Sequence, residues 1–301
     1  MKNNLDYSDD INRKCTVLRD DRIGMQLYAI MNGIYYCKKN NLEYIHIPLD
    51  DIYIEYDKLF KLGHGYETMC KETFENEHQY QTGCIKNIGH LFSLIKKKNK
   101  EKERIKECNI NYKSSIFRVY QSQLIAQYKN SELYKKMFSV NTINICIHYR
   151  RGDIINLNSK KYKDVRYVIK ERYNLRYTPD NFINEIINKL NVHMANLPIN
   201  IHIHSDSVLK LEKLIKVKHN FNVCPHFDES PLDALNSMIQ CDILFRYGIS
   251  AFSGIAAFYN TNTVISKIPP KYKRLYDFSN TYYFKKCDQI LAHLATQFSN
   301  V

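Results

Sequence analysis

The sequence predicts an α/β protein in two halves, and three observations carry that prediction. Strand-like and helix-like segments alternate almost without interruption from Ile143 onward, the pattern of a parallel, doubly wound sheet. Near the N-terminus a strand, an amphipathic helix and a second strand follow one another between Cys15 and Pro48 as a βαβ unit. The 301 residues are 44% hydrophobic and 25% charged, which suits two cores of about 150 residues each and is too apolar for a disordered chain. We expect an N-terminal half over 1–140 and a C-terminal half over 141–301, joined at Asn141–Asn144.

In the first half, Cys15–Val17 reads as a short strand, and a tight loop at Gly24 leads into a helix from about Met25 to Lys39. Tyr44–Ile47 is the second strand, closed by Pro48. Between Asp50 and Lys113 the pattern weakens into short helical pieces and charged connections, and Ser114–Ser139 then reads as helix. In the second half, strand Ile143–Tyr149 precedes a helix over 178–194, with Thr178 placed to cap it and Pro179 at its first position. There follow strand Ile199–Ser205, helix Ser207–Lys218, strand Phe221–Cys224, helix Ser230–Cys241, strand Asp242–Gly248, helix Ser250–Asn260 and strand Thr261–Ser266, before a C-terminal helix. Ligands of such a sheet bind outside the carboxyl ends of its strands.

Composition excludes some classes of function. No apolar run reaches the roughly 18 residues of a membrane span, and the opening MKNNLDYSDDINRK has no apolar core of a signal peptide. A cytoplasmic protein without a membrane span is the expectation. Nine cysteines, with no CxxC pair and an odd total, fit reduced thiols rather than a disulfide framework or a zinc site. The net charge of +13 invites a polyanionic partner. Much of it lies in KKKNKEKERIKE, Lys96–Glu107, where glutamates interleave at helical spacing as on a solvated face, so nucleic acid is not expected as the partner.

The stretch ICIHYRRGD, Ile145–Asp153, sets two guanidiniums after a strand apolar enough to be buried on both faces. Arginine presents a planar fork suited to phosphate and keeps its charge at any working pH. His148 shares a strand face with Arg150 by alternation, and Asp153 supplies a nearby carboxylate. His202 and His204 also share a face, but no third ligand stands at a recognisable spacing, so a hydrogen-bonded pair beneath the site is expected rather than a metal.

His148-Tyr149-Arg150-Arg151-Gly152-Asp153 resembles the HxRRxD motif of α1,2- and α1,6-fucosyltransferases and the related segment of protein O-fucosyltransferases. Three further segments are similar to that superfamily's and stand in its order. They are Arg22-Ile23-Gly24-Met25-Gln26, similar to a G-R-x-G-N-Q loop; Ser205-Asp206-Ser207 at a strand end; and the closing DALNSMIQCDILFRYGISAFSGIAAFY. Together they cover about 22–48 and 141–265. The chain departs from the pattern at Asp21, Met25 and Ala251, where the family has glycine, asparagine and serine.

The resemblance implies a GT-B-like arrangement of two Rossmann-like domains facing a cleft, an acceptor-side half and a GDP-sugar-binding half. It implies inverting transfer of fucose from GDP-fucose to a hydroxyl of a glycan or glycoprotein, α1,2-type, with arginine in place of a metal and no cofactor. Arg150 would hold the β-phosphate, with Arg151 and Arg22 as further cations and Gly24 in the first loop. The helix from Ser250 would turn its N–H groups to the pyrophosphate, with Ser250 and Ser253 donating hydroxyls and Phe252 beside the base. His148 would bond phosphate or ribose, and Asp206, with Ser207, would accept from guanine. Asp153 is the expected base, with Glu171 and Asp21 as alternatives; equally it anchors an arginine. The remaining readings are another GDP-deoxysugar transferase, a protein O-fucosyltransferase, a basic nucleic-acid-binding protein and a degenerate sugar-nucleotide-binding module.

Overall fold

The computed structural model describes residues 14–17, 22–39, 41–72, 84–85, 91–94, 107–108, 114–139, 141–151, 175–207, 211–269, 278 and 280–299. The chain divides into two compact units, 1–111 and 112–301. The division falls earlier than the expected junction at 140/141, because the helix that opens the second unit is bonded to later helices of that same unit. Both units are α/β.

In the first unit, β1 (Lys14–Val17), α1 (Ile23–Lys39) and β2 (Glu43–His46) form the expected βαβ, with β1 and β2 parallel. Helix α1 begins one residue before Gly24, so that glycine lies buried in the first helical turn instead of in a loop. The carbonyl of Arg22 accepts the first helical bonds, from Met25 and Gln26. A 3₁₀ turn at Asp51–Tyr53 and helix α2 (Ile54–Phe60) follow. Asp57 on α2 bonds both His46 Nε2 at 2.8 Å and the Leu49 N–H at 3.0 Å, fixing the end of β2. Short strands β3 (Glu67–Thr68), β4 (Cys84–Ile85), β5 (Leu91–Leu94) and β6 (Glu107–Cys108) complete a sheet of order β3-β2-β1-β4-β5-β6. The pairs β4–β5 and β5–β6 are antiparallel, which helical pieces alone did not foretell.

The second unit opens on α3 (Ser114–Lys129), ten residues shorter than its pattern suggested. Beyond Asn130 the backbone is captured by Gln240, whose amide donates to Lys135 O at 2.7 Å and accepts from Met137 N–H at 3.0 Å. Gln121 Nε2 donates to Phe258 O at 2.6 Å and Tyr128 OH to Asn236 Oδ1 at 2.8 Å, which ties α3 to this unit. Six strands, β7 (Ile143–His148), β8 (Ile199–Ser205), β9 (Asn222–Phe227), β10 (Ile243–Tyr247), β11 (Thr263–Lys267) and β12 (Thr281–Tyr283), form one all-parallel sheet. Its order is β12-β11-β10-β7-β8-β9, or 6-5-4-1-2-3 counted within the unit, the doubly wound order of dinucleotide-binding sheets. Between them run α4 (Asp180–Met194), α5 (Leu211–Leu214), α6 (Pro231–Gln240) and α7 (Ala251–Tyr259), and α8 (Cys287–Phe298) ends the chain. Helix α5 ends four residues before the expected Lys218, and β9 runs on to Phe227.

Alternation gives this sheet two unlike faces. Ile143, Ile145 and Ile147 of β7, Ile199, Ile201 and Ile203 of β8, and Ile243 and Phe245 of β10 pack against Phe182, Ile183, Ile186, Ile187 and Leu190 of α4 and Leu291 and Leu294 of α8. The opposite face carries polar rows in register, Asn144, Asn200, Asn222; then Cys146, His202, Cys224; then Arg246, His148, His204, His226. Cysteines 37, 70, 146, 224, 241 and 287 are free thiols. Among the described residues no helix is long and apolar enough to cross a membrane.

Gly248, the residue after β10, sits at a close backbone approach. Its φ is +65°, and a Cβ there would lie 1.9 Å from the carbonyl oxygen of Leu175. The neighbouring Ile249 N–H bonds that same oxygen at 2.9 Å. Gly248→Ala must move one backbone or the other, so we expect a loss of about 3 kcal/mol or more in urea unfolding.

Candidate functional site

The sheet order reverses between β7 and β10, so the chain leaves these two adjacent strands in opposite directions and opens a crevice at their carboxyl ends. The end of β7 contributes His148 and the loop after it Arg150 and Arg151; the loop after β10 contributes Ser250 at the start of α7. The predicted residues of the two segments thus meet at one edge.

Arg150 is fixed by its backbone. Its N–H donates to Thr178 Oγ1 at 3.3 Å and its carbonyl accepts from Thr178 N–H at 3.5 Å. Thr178 therefore serves the arginine loop and does not cap α4, whose cap position is taken by Pro179 with no side-chain bond. The half-buried Arg150 side chain reaches across the switch point, where Nη1 donates to Ser250 Oγ at 3.3 Å. From the other side Arg246, wholly buried on β10, donates from Nη2 to the Ser250 carbonyl at 3.2 Å. Two guanidiniums therefore converge on the residue at the N-cap of α7. Ser250 makes no side-chain bond to its own helix, so its hydroxyl serves Arg150 and leaves the helix end to an anion. Sequence reasoning missed Arg246; its signal was a lone arginine in the apolar strand ILFRY, in register with His148.

Arg151 is a different kind of arginine. It is buried at 5% exposure, with its guanidinium 4.4 Å from the centroid of the Tyr149 ring and 4.1 Å from that of Tyr177. It pairs with Asp180 at the start of α4 and donates to Tyr149 OH, which in turn donates to Asp180. Its backbone N–H donates to Asp206 Oδ1 at 3.0 Å, which ties the end of β8 to the β7 loop. Arg151, expected as a second substrate cation, is thus engaged by Asp180 of the framework.

Burial lowers His148 to about 3, with further contributions from Arg150, His204 and Arg246, so its ring is neutral. The ring lies 5.9 Å from that of Phe252. His148 Nδ1, His204 Nε2, Ser205 Oγ and Ser253 Oγ are buried and have no hydrogen-bond partner among the described residues. All four stand at strand ends or in the first turn of α7, where a polar ligand would satisfy them. Ser207 follows Asp206, half-buried beside that exposed carboxylate. Arg22, exposed, and Gly24 belong to the first unit and are described with it. Asp153, Gly152, Glu171, Asp21 and most of the basic run Lys96–Glu107 lie outside the described residues.

His202 and His204 are indeed hydrogen-bonded, yet further ligand-type groups do join them. His202 Nδ1 lies 2.9 Å from His226 Nε2, and Glu229 contacts both His204 Nδ1 and His226 Nδ1. Burial, then His226 and His204, lowers His202 to about 4; burial alone would raise Glu229, but bonds from His204 and His226 hold it at about 2. Strand pairing of β8 with β9 brings these groups together, and spacing along the chain does not reveal it.

No protein-family model matches the chain, and no curated protein matches it in sequence. Among solved structures it is similar to the fucosyltransferase NodZ from Bradyrhizobium, 12% identical over 81% of this chain and 92% of that one, with a TM-score of 0.42. It is similar also to POFUT1 in complex with GDP-fucose, 9% identical over 87% and 99%, TM-score 0.44, and to the E. coli heptosyltransferase WaaC with ADP, 8% identical over 96% and 100%, TM-score 0.41. Values of this order report a distant likeness of fold and decide nothing about the site.

The depressed His148 has a consequence for stability. Unfolding returns the ring to its ordinary 6.5, so below that pH the unfolded chain binds a proton that the native state refuses until about 3. The stabilisation is complete above pH 6.5 and is lost as pH falls toward the native value. We expect His148→Gln to lose less stability than the parent protein between about pH 7 and about pH 5, read by urea unfolding at each pH.

Proposed function

We propose that the protein is an inverting glycosyltransferase that moves fucose from GDP-fucose to a glycan hydroxyl, of the α1,2 type implied by its HxRRxD-like motif. The observation that carries this reading is the meeting of Arg150 and Arg246 on Ser250, at the N-terminus of α7 and across the sheet's switch point. An anion seated there has guanidinium charge on one side and a helix end on the other.

In the reaction the bond between the anomeric carbon and the β-phosphate oxygen breaks, and negative charge grows on that oxygen. Arg150 would bind it through its fork, and the N–H groups of α7 would add their dipole, so that charge is stabilised where it develops. Arginine keeps its proton throughout, so the donor requires no divalent ion in this scheme. His148, neutral, would offer a hydrogen bond to phosphate or ribose without adding charge. Ser253 Oγ would donate to the same phosphate. Asp206 keeps the β7 loop in place with one bond, and a carboxylate oxygen has lone pairs enough to accept from guanine as well. Asp153 would take the proton of the attacking hydroxyl, which arrives opposite the leaving phosphate and inverts the anomeric centre. Arg22 and Gly24 are proposed as further substrate-binding residues. The acceptor would be a glycan or glycoprotein, and a cytoplasmic glycan pathway its setting.

GDP and GDP-fucose should raise the melting temperature while UDP and ADP do not, and the GDP-induced rise should be the same in EDTA. Arg150→Ala should weaken GDP by about tenfold or more and abolish transfer, a loss of the order expected for a charge-assisted phosphate contact. Absence of any guanine-nucleotide shift, or an active Arg150→Ala enzyme, overturns the reading.

A further inference from the structure

Three side chains on the polar face of the second unit converge on one point. His204 near the end of β8 stands in register with His226 on β9. Glu229 is turned back over both by Asp228, whose φ of 58° lies in the left-handed region and whose N–H is held by Ser205 O at 3.2 Å. Each imidazole aims Nδ1 at a different carboxylate oxygen, His226 at 3.0 Å from Oε2 and His204 in closer contact with Oε1. The three ligand atoms lie within 4.8 Å of one another.

The hydrogen bonds behind this group orient its rings. Asn144 Oδ1 is an acceptor, since the amide nitrogen donates to Thr142 O at 2.9 Å and Asn200 Nδ2 donates to the oxygen at 3.4 Å. His202 Nε2, 3.3 Å from that oxygen, must carry a proton to bond it. The other ring nitrogen, His202 Nδ1, lies 2.9 Å from His226 Nε2, so the far edge of the His226 ring is already bonded. That bond turns His226 Nδ1 toward the Glu229 carboxylate, 3.0 Å from Oε2. A cation seated among the two Nδ1 atoms and the carboxylate would be held by all three.

We propose that His204, His226 and Glu229 bind a divalent transition-metal ion, zinc by its ligand set, through the two Nδ1 atoms and the carboxylate. Two imidazoles and a carboxylate are an established zinc set, and the His202–Asn144 chain is outer hydrogen bonding of the kind that orients a metal ligand. Ligand atoms of a tetrahedral zinc site lie roughly 3.3 Å apart, so a modest rotation of the Glu229 side chain and tilt of the rings closes the set. The side chains of His226 and Glu229 are 30% and 23% exposed, which gives the ion an entry path and room for a water as fourth ligand. Asp206 lies two residues past His204, so an ion here stiffens the strand end that holds the Arg151 loop. The site stands whatever the nature of the donor.

Chelator-stripped protein is titrated with zinc by calorimetry and with cobalt(II) by visible absorption. We expect one equivalent per chain and an absorption spectrum of a four- or five-coordinate ion. Affinity should fall at least about tenfold in Glu229→Gln and in His226→Ala and stay unchanged in His193→Ala, an imidazole on α4 bonded to Asp288. Wild-type protein that takes up neither ion, or variants that bind as tightly as wild type, overturns the site. Should a variant fail to fold, ring-nitrogen NMR of the wild type decides, since unmoved Nδ1 signals of His204 and His226 on zinc addition overturn it equally.

Discussion

The second unit depends on the register in which β7 pairs with β8 on one side and β10 on the other. Side chains of a strand alternate between faces, so one register sends every isoleucine of INICIH into the core under α4 and α8 and every Asn, Cys and His to the other face. A slip of one residue would bury three polar side chains in an isoleucine core and expose the isoleucines. Apolar packing therefore selects the register, and the register in turn builds the polar rows. Arg246 stands beside His148, and His148 beside His204 and His226, because the core demands it. The chemistry of the carboxyl edge is a by-product of what the opposite face must bury.

Charge at that edge is managed by what each group can give up. Burial empties His148 and His202 of their protons, since an imidazolium loses hydration there that its surroundings do not replace. Arginine has no such escape, and so each buried guanidinium needs acceptors. Arg246 has the carbonyl of Ser250, and Arg151 has Asp180 and two tyrosine rings. The result is permanent positive charge beside neutral imidazoles, in a place where backbone geometry already favours anions. The strain of holding Ser250 in this role is local, since Gly248 must take a left-handed conformation two residues earlier to let the loop pass the Leu175 carbonyl.

Much of this was legible in the sequence because its periodicities are strong. Alternate isoleucines in INICIH and INIHIH and the apolar stripe of DNFINEIINKL declare two strands and the helix between them, and the positions of Arg150 and Ser250 at strand ends follow. What was hidden depends on distant partners. Helical periodicity continues past Lys129, yet Gln240, far along the chain, takes the backbone groups of Lys135 and Met137. Thr178 looks like a cap because its neighbours are a proline and an aspartate, but Arg150 claims its hydroxyl. His226 and Glu229 carry no motif; they join His204 only through the pairing of β8 with β9. The two-residue strands of the first unit are too short to show any period at all.

The adjacent arginines divide their work by strand geometry. Arg151 follows Tyr149 on the side of α4, so its guanidinium meets Asp180 and the two tyrosine rings and is committed to them. Arg150 falls on the side of His148, toward β10, where it donates to the Ser250 hydroxyl at 3.3 Å. A hydroxyl is a weak partner for a guanidinium and is readily exchanged for a phosphate oxygen, whereas a carboxylate is not. Set on opposite faces, one locks the loop against α4 so that the other is already in position when an anion arrives. Preorganisation of that kind is what electrostatic stabilisation of a leaving phosphate requires, because a cation that must first be positioned loses in entropy what it supplies in charge.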